Sequence, residues 1–497
     1  MSTLLGSLAR NVSLNVLLQA WLALLSLLTT PILYRRLGGE QYGLFAIVSL
    51  LISQLTVLEF GFGHATTRFI AAAAGRKDSE AQRRVMATSG VVFIAAGAAG
   101  AAALLFGSGF LIESYFRLPH TLRDTGRQVL MLTAALFFVG MLTNLLAAAF
   151  RGLQRFGTLN SVRGFMGAAQ TLGAVAVVAG GGLVNEVVLW TLLVAISGTT
   201  ALALLLARAA PGLVGWPRLH RATFWEMAGF GGPLMLAGIL NQLYLSGGSL
   251  ALARFVALSA LPFYAIPLGL FQRLQSVASA VATALLPMIA GLVDGGGATR
   301  LLSELPARGM RVLLVLALPV LVGGGLVARP FLTAWIDAGF ASNATWPMQC
   351  ALCAFVLVMI SVPWTEMERG SGRAWPLVAY VAILAALNLG ATLLLAPAEG
   401  VRGAATALLI AQSGGTAFLL ARSGQASGAL AMLVGPGLVG ALYGVSAVAA
   451  SLVTSTLGGR LSAAIVLTIV YALAAWRFAF DNRDRGAILR VVNGSRR

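Results

Sequence analysis

Fourteen apolar runs of about 20 residues follow one another with only short loops between them. That is the length of helix a bilayer core demands, and few folds survive the constraint. The first six runs lie at 13–34, 42–62, 85–111, 128–149, 160–180 and 187–207. Six more lie at 227–250, 262–289, 309–328, 346–364, 375–396 and 400–421, and the last two at 429–452 and 461–479. Only 10% of the 497 residues are charged, where a soluble domain carries about 25%. Too few charges remain to coat a water-facing surface, and the chain reads as an all-α polytopic membrane protein.

Composition also removes several chemistries. The single lysine, Lys77, is followed by Asp78, so no Gly-Lys-Ser/Thr phosphate loop can form. Three histidines and two cysteines do not supply a metal centre or a disulfide framework, and no cofactor is expected. Cys350 and Cys353 lack a second pair and read as small packing residues. The net charge of +18 is spread over short loops rather than gathered into a nucleic-acid surface.

Those charges instead orient the chain. With the N-terminus inside, 24 basic residues fall on the cytoplasmic side and nine on the other: Arg35, Arg36, Arg117, Arg123, Arg127, Arg254, Arg329, Arg402 and Arg460. Arg273 alone is left inside a span. The positive-inside rule then places both termini in the cytoplasm. The first run is long enough to span and has no small-residue cleavage site before Pro31, so it reads as a retained signal-anchor.

The first two sets of runs are related. Arg35 with Leu44-Phe45-Ala46-Ile47 recurs 219 residues later as Arg254 with Phe263-Tyr264-Ala265-Ile266. Arg151-Gly152 with Arg155 recurs 218 residues later as Arg369-Gly370 with Arg373, again in the equivalent loop. A six-span repeat starts and ends on one side, so the copies run parallel about a pseudo-two-fold axis along the membrane normal. The expected organisation is an N-terminal lobe over 1–210, a second lobe over 211–425, and two further spans with a basic tail over 426–497.

Polar residues inside the spans are the candidates for function. Asn11, Asn15, Gln19, Ser26 and Thr30 share one face of the first run, and Ser49, Ser53, Thr56 and Glu59 one face of the second. Gln242, Ser246 and Ser249 stripe the seventh, and Gln272, Ser276, Ser279 and Thr283 the eighth, with Arg273 at the edge. Singly, such residues join helices by hydrogen bonds. Stripes on the opening helices of both lobes point to a shared water-filled cavity. Arg273 sits near the midplane, where an arginine costs about 2.5–3.5 kcal/mol unless it meets a cavity or a partner. Glu59 has three open readings: a proton or cation site, a partner for Arg68, or a packing carboxylate. Arg35, Arg36 and Arg254 are either tolerated outer arginines or a receiving site for an anion, while Arg151, Arg155, Arg369 and Arg373 read as inner topology anchors.

The opening segment carries Asn11, Pro31, Arg36-Leu37-Gly38, Tyr42-Gly43, Leu58-Glu59-Phe60-Gly61 and Arg68. It resembles the N-terminal signature of polysaccharide-biosynthesis flippases in the multidrug/oligosaccharidyl-lipid/polysaccharide exporter superfamily. Glu59 stands where many relatives carry Asp. The resemblance implies a MATE-like fold in the bacterial inner membrane and alternating access around a cationic cavity, and a transporter rather than an enzyme. The implied cargo is an undecaprenyl-diphosphate-linked oligosaccharide for O-antigen, capsule or exopolysaccharide, handed on to assembly proteins. Cavity candidates are Arg273, Glu59, Gln19, Asn15, Gln272, Gln242, Arg35, Arg254 and Arg68. A coupling cation, Na+ or H+, is left open. Rival readings are a lipid-linked peptidoglycan-precursor flippase, a cation-coupled drug exporter, and a membrane glycan polymerase or ligase. The exporter is expected to need an acidic group deep in the first or seventh span, and neither has one.

Overall fold

The computed structural model describes residues 2–59, 61–213, 215–283, 299–370, 374–422, 426–454 and 456–479. The side chains of 2–20 and 276–283 are among those outside the description. Among the described residues there is no strand. Ten helices among the described residues are long and apolar enough to cross a membrane. This is a multi-pass, all-helical membrane protein.

The first two predicted spans are the arms of one helix, α1 (Ser2–Leu55), broken at Gly38, whose φ of 74° and ψ of 169° no helix can contain. The glycine of Arg36-Leu37-Gly38 is therefore the elbow between the arms. Then come α2 (Phe62–Gly75), α3 (Ser79–Phe110), α4 (Arg123–Gly152), α5 (Phe156–Ala179) and α6 (Val184–Ala209). The seventh span is α7 (Arg221–Gln242), a π turn and α8 (Gly248–Leu252), and the eighth falls on α9 (Pro262–Thr283). The series closes with α10 (Thr299–Trp335), α11 (Ala338–Gly370), α12 (Ala374–Glu399), α13 (Val401–Arg422), α14 (Ala426–Val453) and α15 (Leu457–Ala474).

The chain divides into two compact units, Met1–Pro262 and Phe263–Arg497. Within the first, α3 packs on α4, and α6 packs on both α4 and α5. Within the second, α10 packs on α11, and α13 packs on both α11 and α12. The same order of neighbours at the same place in each set of spans is what a duplicated six-span unit produces.

Lipid is as apolar as a leucine side chain, so helices here gain little from hiding apolar surface and must gain from close contact. That accounts for many of the 58 glycines. Gly173 lies under the indole of Trp190, whose Nε1 donates to the Ala169 carbonyl at 2.9 Å. A Cβ on Gly403 would come within 2.6 Å of the Leu395 carbonyl oxygen.

The first unit has two distinct ends. At one, Gly43 packs on Leu258, the Val184 amide donates to Gln41 Oε1 at 3.1 Å, and the Tyr115 hydroxyl donates to the Leu250 carbonyl at 3.2 Å. At the other, the Arg218 amide donates to the Ala87 carbonyl at 3.2 Å and Thr67 Oγ1 to the Ala148 carbonyl at 3.2 Å. The loops that sequence charge assigned to opposite faces of the membrane gather at these opposite ends.

In the second unit α14 and α15 pack on α10. Arg460, one of the nine outward arginines, ties their turn down. It donates to the carbonyls of Thr454 at 2.9 Å, Leu326 at 3.1 Å and Ser451 at 3.3 Å. The Ser451 and Thr454 carbonyls lie at the C-terminal end of α14, where a guanidinium answers both unpaired acceptors and the helix dipole. Arg460→Gln is expected to cost about 2 kcal/mol, read as a fall in the melting midpoint of the purified protein in detergent.

Candidate functional site

The second arm of α1 stops at Leu55, and a 3-10 turn over Thr56–Glu59 replaces the regular helix the sequence pattern extends to residue 62. Gly61, at φ 69° and ψ 1°, then turns the chain into α2. The 3-10 turn winds at about 3.0 rather than 3.6 residues per turn, so Glu59 is carried round from the face shared by Ser49 and Ser53. Its carboxylate turns to the start of α2 and accepts a hydrogen bond from the Gly63 amide. A Cβ on Gly63 would collide with that oxygen. Each glycine after Glu59 thus has its own task, one to turn the backbone and one to make room for the carboxylate. An anion at a helix N-terminus also meets the positive end of the helix dipole.

Two arginines act electrostatically on Glu59, namely Arg151 and Arg163. Arg151 ends α4, which comes close to α2 because Gly152 lies against Ile70 and the Thr67 carbonyl. Arg163 lies two turns into α5, about 10 Å along it at 1.5 Å per residue. The arginines also act on one another. Among the described residues neither guanidinium makes an ion pair. The cluster therefore holds two cations and one carboxylate, and the carboxylate is already occupied by a backbone amide. Arginine forks left in that state suit an oxyanion with several acceptor oxygens, above all a phosphate.

The other predicted residues fall in several places. Arg68 stacks over the Phe230 ring at 4.1 Å, with Phe69 at 5.9 Å, between α2 and α7. Gln242 Nε2 donates to Ser246 Oγ at 2.9 Å, and Ser53 Oγ donates to the same oxygen at 3.2 Å. The polar stripes of the second and seventh spans thus meet and bond each other. Arg254 is half-buried at the opposite end of the unit, in a cavity with Glu40 and Arg117. Arg35 is exposed just before the Gly38 elbow. In the second unit, Arg273 and Gln272 are half-buried near the middle of α9, and Arg273 Nη1 folds back towards Gly269. The side chains of Asn15 and Gln19 lie outside the described residues.

Sequence reasoning passed over Arg163 by counting it among the cytoplasmic charges. The available signal was its depth, because it follows Phe156 by two turns in a helix apolar enough to span. Arg151 was read only as a topology anchor, and its closeness to Glu59 depends on packing that no spacing rule supplies.

Residues 8–293 match the family described as polysaccharide biosynthesis protein, more than half of the chain. The chain belongs to the polysaccharide biosynthesis protein family. No curated protein matches it in sequence. Several solved structures share its fold. An inward-facing multidrug resistance MATE family transporter of the MOP superfamily is 13% identical, with a TM-score of 0.68 over 84% of this chain and 99% of that one. The lipid II flippase MurJ in an inward closed conformation is 11% identical, with a TM-score of 0.67 over 94% of this chain and 98% of that one. A MOP superfamily transporter from Pyrococcus furiosus, described as having a binding pocket of reversed polarity, is 14% identical, with a TM-score of 0.55 over 84% and 95%. The family is that of polysaccharide biosynthesis proteins, and the fold is one that a MATE family transporter and MurJ also adopt.

Proposed function

We propose that this protein flips an undecaprenyl-diphosphate-linked oligosaccharide across the bacterial inner membrane by alternating access, for O-antigen, capsule or exopolysaccharide synthesis. The observation that carries the reading is the cluster of Arg151 and Arg163 around an amide-bound Glu59, in a chain of the polysaccharide biosynthesis family. A diphosphate needs charged donors in fork geometry, and two arginines that share one amide-bound carboxylate offer them. Arg273 adds a further arginine at mid-depth in the second unit. The hydroxyl and amide groups of Ser53, Ser246 and Gln242 suit the sugars, and the lipid tail stays in the bilayer.

The driving force can be bounded. One charge crossing 100 mV is worth about 2.3 kcal/mol, so two negative charges leaving a negative interior gain about 4–5 kcal/mol. No ATP is needed for that step. The lobes at 1–210 and 211–425, the cytoplasmic termini and onward delivery to assembly proteins belong to the same proposal.

The test is translocation of a fluorescent undecaprenyl-diphosphate oligosaccharide in proteoliposomes. Wild type is expected to move it, faster with the exit side positive, and Arg273→Ala is expected to be slower by about tenfold, the size of one lost charge-assisted contact. Wild type that moves no lipid-linked glycan but drives an organic cation against a sodium or proton gradient would overturn the reading.

A further inference from the structure

At the end of the first unit opposite the Glu59 cluster, three chain reversals meet: the elbow after Gly38, the turn at 116–119 and the turn at 254–259. Between them lies a cavity of about 270 Å³ whose charged lining is Glu40, Arg117 and Arg254. The walls are fixed. The 254–259 turn presses on α1 so closely that a Cβ on Gly39 would stand 3.2 Å from the Ser259 carbonyl oxygen. The 116–119 turn is closed by the Phe116 amide on the Leu111 carbonyl at 2.8 Å and the Leu118 amide on the Ile112 carbonyl at 2.9 Å.

Arg117 is held in this turn at a φ of 49°, a left-handed backbone that ordinarily goes to glycine. A long charged side chain is kept where backbone sterics disfavour any side chain at all. The neighbouring arginines of the same loop are employed: Arg123 Nε donates to the Leu118 carbonyl at 3.4 Å, and Arg127 pairs with Glu113 at 3.3 Å. Among the described residues Arg117, Arg254 and Glu40 make no ion pair and no side-chain hydrogen bond, although they line one cavity. Two cations and a carboxylate are thus arranged around a shared space without neutralising one another.

We infer that this cavity is a binding site for a zwitterionic phospholipid headgroup, a phosphate with a primary ammonium group as in phosphatidylethanolamine. Each charge limits the ligand. A purely anionic group would face Glu40, and a purely cationic one would face both arginines. A phosphate between the guanidinium groups, with an ammonium donating to Glu40, uses all three. The place selects a lipid over a soluble zwitterion. The cavity opens where the spans end, at headgroup depth, and Phe255 stands 41% exposed at its rim, an apolar contact for the glycerol and first acyl carbons.

The test is native mass spectrometry of the full chain in detergent, titrated with short-chain phosphatidylethanolamine, phosphatidylcholine and phosphatidylglycerol. Wild type is expected to bind phosphatidylethanolamine about tenfold more tightly than phosphatidylcholine, whose quaternary nitrogen cannot donate to Glu40. Glu40→Gln is expected to abolish that preference and leave phosphatidylglycerol binding no weaker. Arg117→Gln with Arg254→Gln is expected to weaken all three lipids. Equal binding of the three lipids by wild type overturns the inference, as does a preference that survives Glu40→Gln. Free O-phosphoethanolamine bound as tightly as the lipid would make the site one for a soluble ligand and overturn the lipid assignment. Glu40 and Arg117 are exposed and Arg254 is half-buried on a turn, so the variants are expected to elute and melt as wild type does. A loss of folding in the arginine variant would be separated from a loss of binding by Glu40→Gln, which removes no cation.

Discussion

Replacing Arg163 by glutamine is expected to slow flipping of the lipid-linked oligosaccharide by roughly 10- to 30-fold, with the protein still folded and membrane-inserted. Removing one charge from a fully buried pair costs about 3–5 kcal/mol, but this cluster is part-exposed and Arg151 remains, so about 1–2 kcal/mol is the proper scale. Glutamine is two atoms shorter than arginine and keeps two N–H donors, while it deletes the charge and the fork. The double variant Glu59→Gln, Arg163→Gln separates two roles. If Arg163 serves only to balance Glu59, neutralising both restores stability and transport together. If it holds the diphosphate, melting recovers and flipping does not. Arg163→Lys is expected to fall between, since a point charge attracts a phosphate without bidentate geometry. Melting curves and proteoliposome flipping on the same preparations decide between the two.

The parts of this fold that read directly from sequence are those set by local physics. Apolar length locates the spans, and the described helices lie over the predicted runs except α2, which falls between the second and third. The charge bias sorts the loops into two groups, and those of the first unit gather at two ends. The 218-residue offset in Arg151-Gly152 pointed to a repeat, and the neighbour order of α3–α6 and α10–α13 has the form a repeat requires. What did not read through was the consequence of single glycines. Gly61 reverses the backbone, and Gly63 leaves space for the Glu59 carboxylate. Once the helix breaks there, a 100° projection no longer says where Glu59 points. Its electrostatic partners come from α4 and α5, more than 90 residues away, through packing no pattern encodes. The serine stripes were read as cavity lining, and Ser53 and Ser246 spend hydrogen bonds on each other.

Gly43→Val is expected to be the most damaging single substitution in the first unit. A Cβ there would run into the carbonyl oxygen of Leu258, with that residue's carbonyl carbon at 2.9 Å and its Cγ at 3.0 Å. The obstacle is backbone, so no rotamer change relieves it. Either α1 or the 254–259 turn must move. Overpacking of this kind costs about 1–3 kcal/mol and often more, against a total stability of only about 5–15 kcal/mol. Two further glycines calibrate the effect. Gly39→Ala meets Ser259 at 3.2 Å, a few tenths of an ångström too close, and is expected to be mild. Gly107 in α3 has nothing within 4 Å of a new Cβ, so Gly107→Ala is expected to be neutral or stabilising by up to about 1 kcal/mol through helix propensity. Melting midpoints in the order Gly107→Ala, Gly39→Ala, Gly43→Val, from highest to lowest, would follow from contact at the elbow. A Gly43→Val protein that melts with wild type would mean that α1 and the 258 turn do not touch in the membrane. The walls of the headgroup cavity would then have to be drawn elsewhere, because Gly39 and Gly43 are what bring Glu40 up to the turn that carries Arg254.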